Sequence, residues 1–314
     1  MLVQILKDYP TQIRLVYRYY PLISIHNKAA LSAQAAEAAG RQGKFWEMHD
    51  LLFNNQKQWV DLDETGFKLW LTDKTTQLGL DSEKFNRDLE SQEIAGIARR
   101  AWEENRSLGI PYTPFILINE QIWADNLPLE YAPITSVIEL DLLEKRQFSA
   151  CPPILIDLSK QYTATIHTEK GDIGLELYAQ KAPLTVNNFI FLAQNGWYND
   201  ITFHRVIPGY IAQTGDPSAT GYGTPGYAFI NEISSDLSFN QAGMVGMANA
   251  GPDTNGSQFF ITMKPAPQLD GNYTIFGKVV SGMEVVENLT TRDPAQSSRL
   301  LPGDRIYSIV INQE

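Results

Sequence analysis

Phe203-His204-Arg205-Val206-Ile207-Pro208-Gly209-Tyr210-Ile211-Ala212-Gln213-Thr214-Gly215-Asp216 lies in a part of the chain where short strand-like runs alternate with Gly, Pro and Asn loops. Toward the N-terminus, Tyr162-Thr163-Ala164-Thr165-Ile166-His167-Thr168 and Ile173-Gly174-Leu175-Glu176-Leu177-Tyr178 flank the turn Glu169-Lys170-Gly171-Asp172. Their alternation around a glycine turn predicts a β-hairpin. One helix is expected at 183–195, and short strands then recur to residue 314. Regular short strands with few helices predict a closed, mainly antiparallel β-barrel over 161–314.

Two more stretches follow in order: Met247-Ala248-Asn249-Ala250-Gly251-Pro252-Asp253-Thr254-Asn255-Gly256-Ser257-Gln258-Phe259-Phe260-Ile261-Thr262, and Leu269-Asp270-Gly271-Asn272-Tyr273-Thr274-Ile275-Phe276-Gly277-Lys278-Val279. With the first they resemble the signature of the cyclophilin-type peptidyl-prolyl cis/trans isomerases. The match has several parts at compatible spacing, unlike a single short motif. It implies a cyclophilin barrel that rotates X-Pro bonds, acts on unfolded or flexible proline-containing polypeptides, assists folding, and uses no metal and no cofactor.

That chemistry is intelligible from the residues. An X-Pro amide crosses a barrier of about 18–20 kcal/mol by twisting out of its resonance plane, and no bond breaks. In the twisted state the proline nitrogen regains a lone pair, so catalysis needs a donor aimed at it beside a partly apolar cleft. Arg205 suits the donor role because guanidinium stays charged and presents a fixed fork of N–H groups. A bond available only after twisting stabilises the transition state alone.

The resemblance assigns further positions. Gln213 matches the glutamine that orients the arginine and contacts the substrate backbone; Tyr210, Ile211, Phe260 and Leu269 match the lining of the proline pocket. Ala248, Asn249 and Ala250 match the segment holding the residue before proline, and Gln258 lies along the same groove. Four positions depart from the commonest pattern: Tyr210 for phenylalanine, Ile211 for methionine, Tyr273 for histidine at the pocket, and Gln268 for tryptophan. Gln268 lacks the indole donor and apolar area associated with cyclosporin binding. Weak cyclosporin sensitivity with retained turnover is therefore expected, and nanomolar inhibition in a titration would contradict it.

The N-terminal half reads differently. Ile13-Arg14-Leu15-Val16-Tyr17-Arg18-Tyr19-Tyr20 alternates as a strand, and an Ala-rich helix spans 28–39 and closes at Gly40. Helices are also expected at 44–53, across 82–107 and at 135–147, with Phe115-Ile116-Leu117-Ile118-Asn119 as a buried strand. Pro152-Pro153 marks a linker at 149–160 between domains 1–148 and 161–314. The Ile13–Arg18 run, Ala35-Ala36-Glu37-Ala38-Ala39, Gln42-Gly43-Lys44-Phe45-Trp46-Glu47-Met48-His49, and Thr113-Pro114 before an apolar run resemble a thioredoxin-fold oxidoreductase of the DsbA kind. This implies an α/β, thioredoxin-like domain that is incomplete. The chain starts just after the point where that family's first strand and Cys-x-x-Cys would lie, so the domain is expected to be either a binding or structural unit or the remainder of a longer gene product. An incomplete sheet favours the second, which would allow an extracytoplasmic location.

Composition sets the remaining bounds. Of 314 residues, 43% are apolar, and a net charge of -11 repels nucleic acid and anionic membranes. No apolar run approaches the roughly 20 residues of a membrane span. One cysteine, Cys151, excludes a dithiol exchange pair within this chain and a cysteine-based zinc site. His26, His49, His167 and His204 form no ligand-spaced cluster. Gly221-Tyr222-Gly223-Thr224-Pro225-Gly226 formally fits G-x-G-x-x-G, but Pro225 and the β-type run that follows do not open a helix, so a surface loop is expected. Two alternatives to isomerase catalysis follow: a proline-peptide binding module or chaperone with incidental turnover, and a thiol-disulfide oxidoreductase only if the chain is a truncated form.

Overall fold

The computed structural model describes residues 1–123, 129–294 and 302–314. By contacts, Met1–Gln12 and Pro128–Glu314 form one compact unit and Ile13–Leu127 another. The first helix, α1 (Leu2–Asp8), belongs to the former unit.

The unit Ile13–Leu127 contains α2 (Ala29–Gly40), α3 (Phe45–Asn54), α4 (Gln56–Trp59), α5 (Glu64–Gln77), α6 (Ser82–Leu89), α7 (Gln92–Ser107) and the two-residue strands β1 (Leu117–Ile118) and β2 (Gln121–Ile122). Helix α2 buries Ala33, Ala35, Ala36, Ala38 and Ala39. Small side chains let α3, α6 and α7 approach it closely, and Met48, Phe67, Leu71, Phe85 and Ile94 fill the core around it. Asp63, Asp81 and Ser91 cap α5, α6 and α7 by accepting from Gly66 N (2.6 Å), Lys84 N (2.9 Å) and Ile94 N (3.3 Å).

Helix α5 is absent from the sequence reading. Its buried Phe67, Leu71 and Thr75 recur every four residues, but Leu69 is 67% exposed and obscures the pattern. Two expected strands are corrected. Residues 13–20 form no ladder: Tyr17 packs edge-on to Trp46 and His49 (5.8 and 4.8 Å between centroids), and the Tyr19 carbonyl accepts from Asn105 Nδ2 at 2.8 Å. The 115–119 run supplies only β1, paired with β2 and not buried, since Leu117 is 51% exposed. The Thr113-Pro114 peptide is cis.

The larger unit continues with α8 (Tyr131–Leu143), β3 (Tyr162–Thr168), β4 (Gly171–Leu177), α9 (Pro183–Gln194), β5 (Ile201–Thr202), β6 (Arg205–Ile207), β7 (Ile211–Thr214), β8 (Met244–Met247), β9 (Phe259–Thr262), β10 (Ile275–Ser281), α10 (Met283–Glu287) and β11 (Arg305–Gln313). The strands form one antiparallel sheet in the order β5-β11-β3-β4-β10-β8-β9-β7-β6. Its outermost strands, β5 and β6, are separated in sequence by only Phe203 and His204, so the two edges must come together and the sheet curls on itself. Arg292 shields the β6 edge by exchanging backbone bonds with Val206 (2.7 and 2.9 Å).

Inside the curl, Phe189 of α9 meets Tyr198, Phe259 and Phe276 at 5.3–5.4 Å between centroids. Pro183 starts α9, and the Glu232 carboxylate accepts from Leu184 N, Thr185 N and Thr185 Oγ1 at its first turn. Residues 149–160 contain neither helix nor strand. They are nonetheless held down: Leu155 N donates to Asn187 Oδ1 (2.6 Å), Asn187 Nδ2 donates to the Pro153 carbonyl (2.9 Å), and Ile156 is buried.

Candidate active site

Strand register builds the site. Arg205 on β6 lies opposite Gln213 on β7, Gln213 opposite Phe260 on β9, and Phe260 opposite Gly246 on β8. Directly paired residues share a sheet face, so the cation, the amide and the aromatic ring form one row. Gly246 ends the row because a Cβ there would lie 2.7 Å from Phe260 Cζ and 2.8 Å from Phe239 Cζ. A glycine lets both rings settle onto the backbone.

Around Phe260 lies an apolar cluster of Ile211, Phe239, Met244, Ala266, Leu269 and Ile275, with Tyr210, Ala248 and Tyr273 half-buried against it. Phe239 stacks on Phe260 at 5.5 Å, and Tyr273 meets it edge-on at 5.4 Å. Ala248 N donates to the Gln258 carbonyl (2.9 Å), and Ala250 N to Thr254 Oγ1 (2.9 Å). The Asn249 side chain donates to the Asn272 carbonyl (3.0 Å) and accepts from Gly251 N (3.2 Å), which fixes the bend of this segment. Gln268 is exposed, on the short helical turn Pro267–Leu269.

The polar half of the row is directional. Arg205 Nη1 donates to Gln213 Oε1 (3.2 Å), Gln213 Nε2 to Gln258 Oε1 (3.0 Å), and Gln258 Nε2 to the carbonyls of Gly221 and Gly223 (3.0 Å each). Every residue expected at the site thus falls in the polar row, the apolar cluster or the 248–250 segment. Sequence reasoning omitted Phe239, Gly246, Asp216 and His204. The first two carry no signal beyond being apolar or small; the last two stood inside the quoted stretch 203–216.

His204 is buried, and neither ring nitrogen has a partner among the described residues. Burial, reinforced by the nearby Arg292 and Arg205 and opposed by Asp216 and the neighbouring Gln258 side chain, holds its imidazole at about 4, down from 6.5. A folded value below the unfolded one means that the unfolded chain binds the extra proton first. Stability is then whole above about pH 6.5 and falls as the pH drops toward 4. Urea titrations at pH 7 and pH 4.5 are expected to show this loss, and His204→Leu to flatten it. An unchanged pH slope in that variant would assign the acid sensitivity elsewhere.

A cation held by an amide row beside a buried aromatic floor, with no nucleophile in the row, suits stabilisation of a rotated peptide bond. Residues 163–311 match the family model described as cyclophilin type peptidyl-prolyl cis-trans isomerase/CLD, and residues 1–139 match one described as thioredoxin. Peptidyl-prolyl cis-trans isomerase-like 1 of Emericella nidulans is 52% identical over 128 residues, 40% of this chain and 79% of that protein. Peptidyl-prolyl cis-trans isomerase ppi1 of Schizosaccharomyces pombe is 51% identical over 127 residues, 40% and 82% of the respective chains. A crystal structure of a Cryptosporidium parvum cyclophilin type isomerase aligns with TM-score 0.45 and 38% identity, covering 48% of this chain and 98% of that one.

The fold is that of a cyclophilin-type barrel with a thioredoxin-like N-terminal region. The chain belongs to the cyclophilin-type peptidyl-prolyl cis-trans isomerase family.

Proposed function

We propose that this chain accelerates rotation about X-Pro bonds in unfolded or flexible polypeptides, with Arg205 as the donor to the twisted proline nitrogen. The observation that carries this reading is the Arg205–Gln213–Phe260 row, which places a permanent cation beside an apolar floor. The proline ring seats on Phe260, Leu269 and Ile211, with Tyr210 and Tyr273 at the rim. Gln213 spends its oxygen on Arg205 and one N–H on Gln258, leaving its second N–H for a substrate carbonyl. The backbone of Ala248, Asn249 and Ala250 carries the residue before proline, and Gln258 borders the same groove.

As the imide twists, its nitrogen becomes pyramidal and basic, and the guanidinium gains a hydrogen bond that the planar ground state cannot accept. Burial of the ring against aromatic carbon keeps water from competing for that bond. Among the described residues no group of three or more His, Cys, Asp or Glu side chains is placed to hold a metal ion, and rotation calls for none. No helix among them is long and apolar enough to cross a membrane. Exchange NMR on a short X-Pro peptide tests the proposal: catalytic amounts of the whole chain are expected to produce cis–trans exchange cross-peaks within a second. Peptide binding without exchange would instead favour a recognition module.

A further inference from the structure

The glycine-rich loop that formally fits a dinucleotide fingerprint has a different occupant, supplied by the chain itself. Asp216 is fully buried, and its carboxylate accepts from Ser218 N (2.8 Å), Ser218 Oγ (2.6 Å), Thr220 Oγ1 (3.4 Å), Gly221 N (2.8 Å) and Gly223 N (3.0 Å). The loop wraps its amides around an internal anion, as such nests do around phosphate. The glycines are required by this wrapping: Gly221 has φ +82°, and a Cβ on Gly223 would collide with Asp216 Oδ1. The loop's far limb is also pinned, since Gln147 Nε2 donates to the Thr224 carbonyl (3.2 Å) and Phe148 N to the Pro225 carbonyl (2.8 Å).

Turning the Gly221 and Gly223 amides toward Asp216 leaves the carbonyls of the same two residues for Gln258 Nε2. Gln258 must then present Oε1 to Gln213, and Gln213 must present Oε1 to Arg205, which can only donate. Either amide flipped would set donor against donor. We propose that Asp216 is a positioning residue for the isomerase reaction: by folding the 218–223 loop it fixes the polarity of the Gln258–Gln213 chain and thereby the aim of the Arg205 guanidinium. This rests on Arg205 being the catalytic donor.

The test uses the full chain. Asp216→Asn keeps the shape but turns an NH2 toward at least two of the five donors, whichever way the amide lies. The expected result is a kcat loss of about tenfold with KM changed less than about twofold, because the aim of a transition-state donor is affected and the ring slot is not. In a Gln258→Met background the same substitution should cost little more, and the Arg205 Nε–H NMR signal should broaden in either single variant. Full kcat in Asp216→Asn, or losses that multiply in the double variant, would overturn the proposal. Should Asp216→Asn fail to fold, Gln258→Met alone decides: it breaks the chain without touching the carboxylate, and wild-type kcat there is equally fatal. Retained turnover in Arg205→Ala would remove the underlying reading, whereas lost turnover there with full kcat in Asp216→Asn would remove only the positioning role.

Discussion

Arg205→Ala is expected to fold like the wild type and to lose roughly two to three decades of kcat/KM, the equivalent of about 2.7–4 kcal/mol for one preorganised donor. Folding should survive because the side chain is half-buried and, among the described residues, donates to the Gln213 side chain. The β6–β7 ladder uses the Arg205 backbone, which the substitution leaves in place. KM should move little, since the ring slot of Ile211, Phe260 and Leu269 is untouched. Initial rates on an X-Pro peptide at several concentrations separate the two parameters. Turnover within about threefold of wild type would mean that another group meets the twisted nitrogen.

Legibility of the fold followed the length over which a pattern holds. The hairpin β3–β4 and helix α9 were plain because alternation or helical spacing runs through seven or more residues in each. The N-terminal strands misled because alternation in 13–20 says only that a chain is able to pair; a ladder needs a partner, and none lies beside those residues in the described structure. Helix α5 hid for the opposite reason, its buried stripe being masked by exposed Leu69. The site divides along similar lines. Arg205, Gln213 and Phe260 were readable from motif context, whereas their alignment in one row depends on the register of β6, β7 and β9. That two rings lie over Gly246, and that the 218–223 loop closes on Asp216, emerges only once the chain is folded.

The second large effect separates site from scaffold within two adjacent residues. Phe259 and Phe260 are both almost fully buried, but successive side chains on β9 face opposite ways. Phe259 enters the main core against Phe189, Tyr198 and Phe276; Phe260 enters the cluster with Phe239, Leu269 and Tyr273. Truncating either to alanine removes a packed ring, so both Phe259→Ala and Phe260→Ala are expected to lower unfolding free energy by about 3–5 kcal/mol in urea titrations. Activity should split them. At a temperature where the variants remain folded, Phe259→Ala is expected to keep kcat/KM within a few-fold, because its cavity lies on the far side of the strand. Phe260→Ala is expected to lose at least about tenfold, since the floor under the proline ring and the neighbour opposite Gln213 disappear together. Equal retention of activity in both variants would show that the ring does not sit on Phe260, and the slot would have to be sought on another face of the sheet.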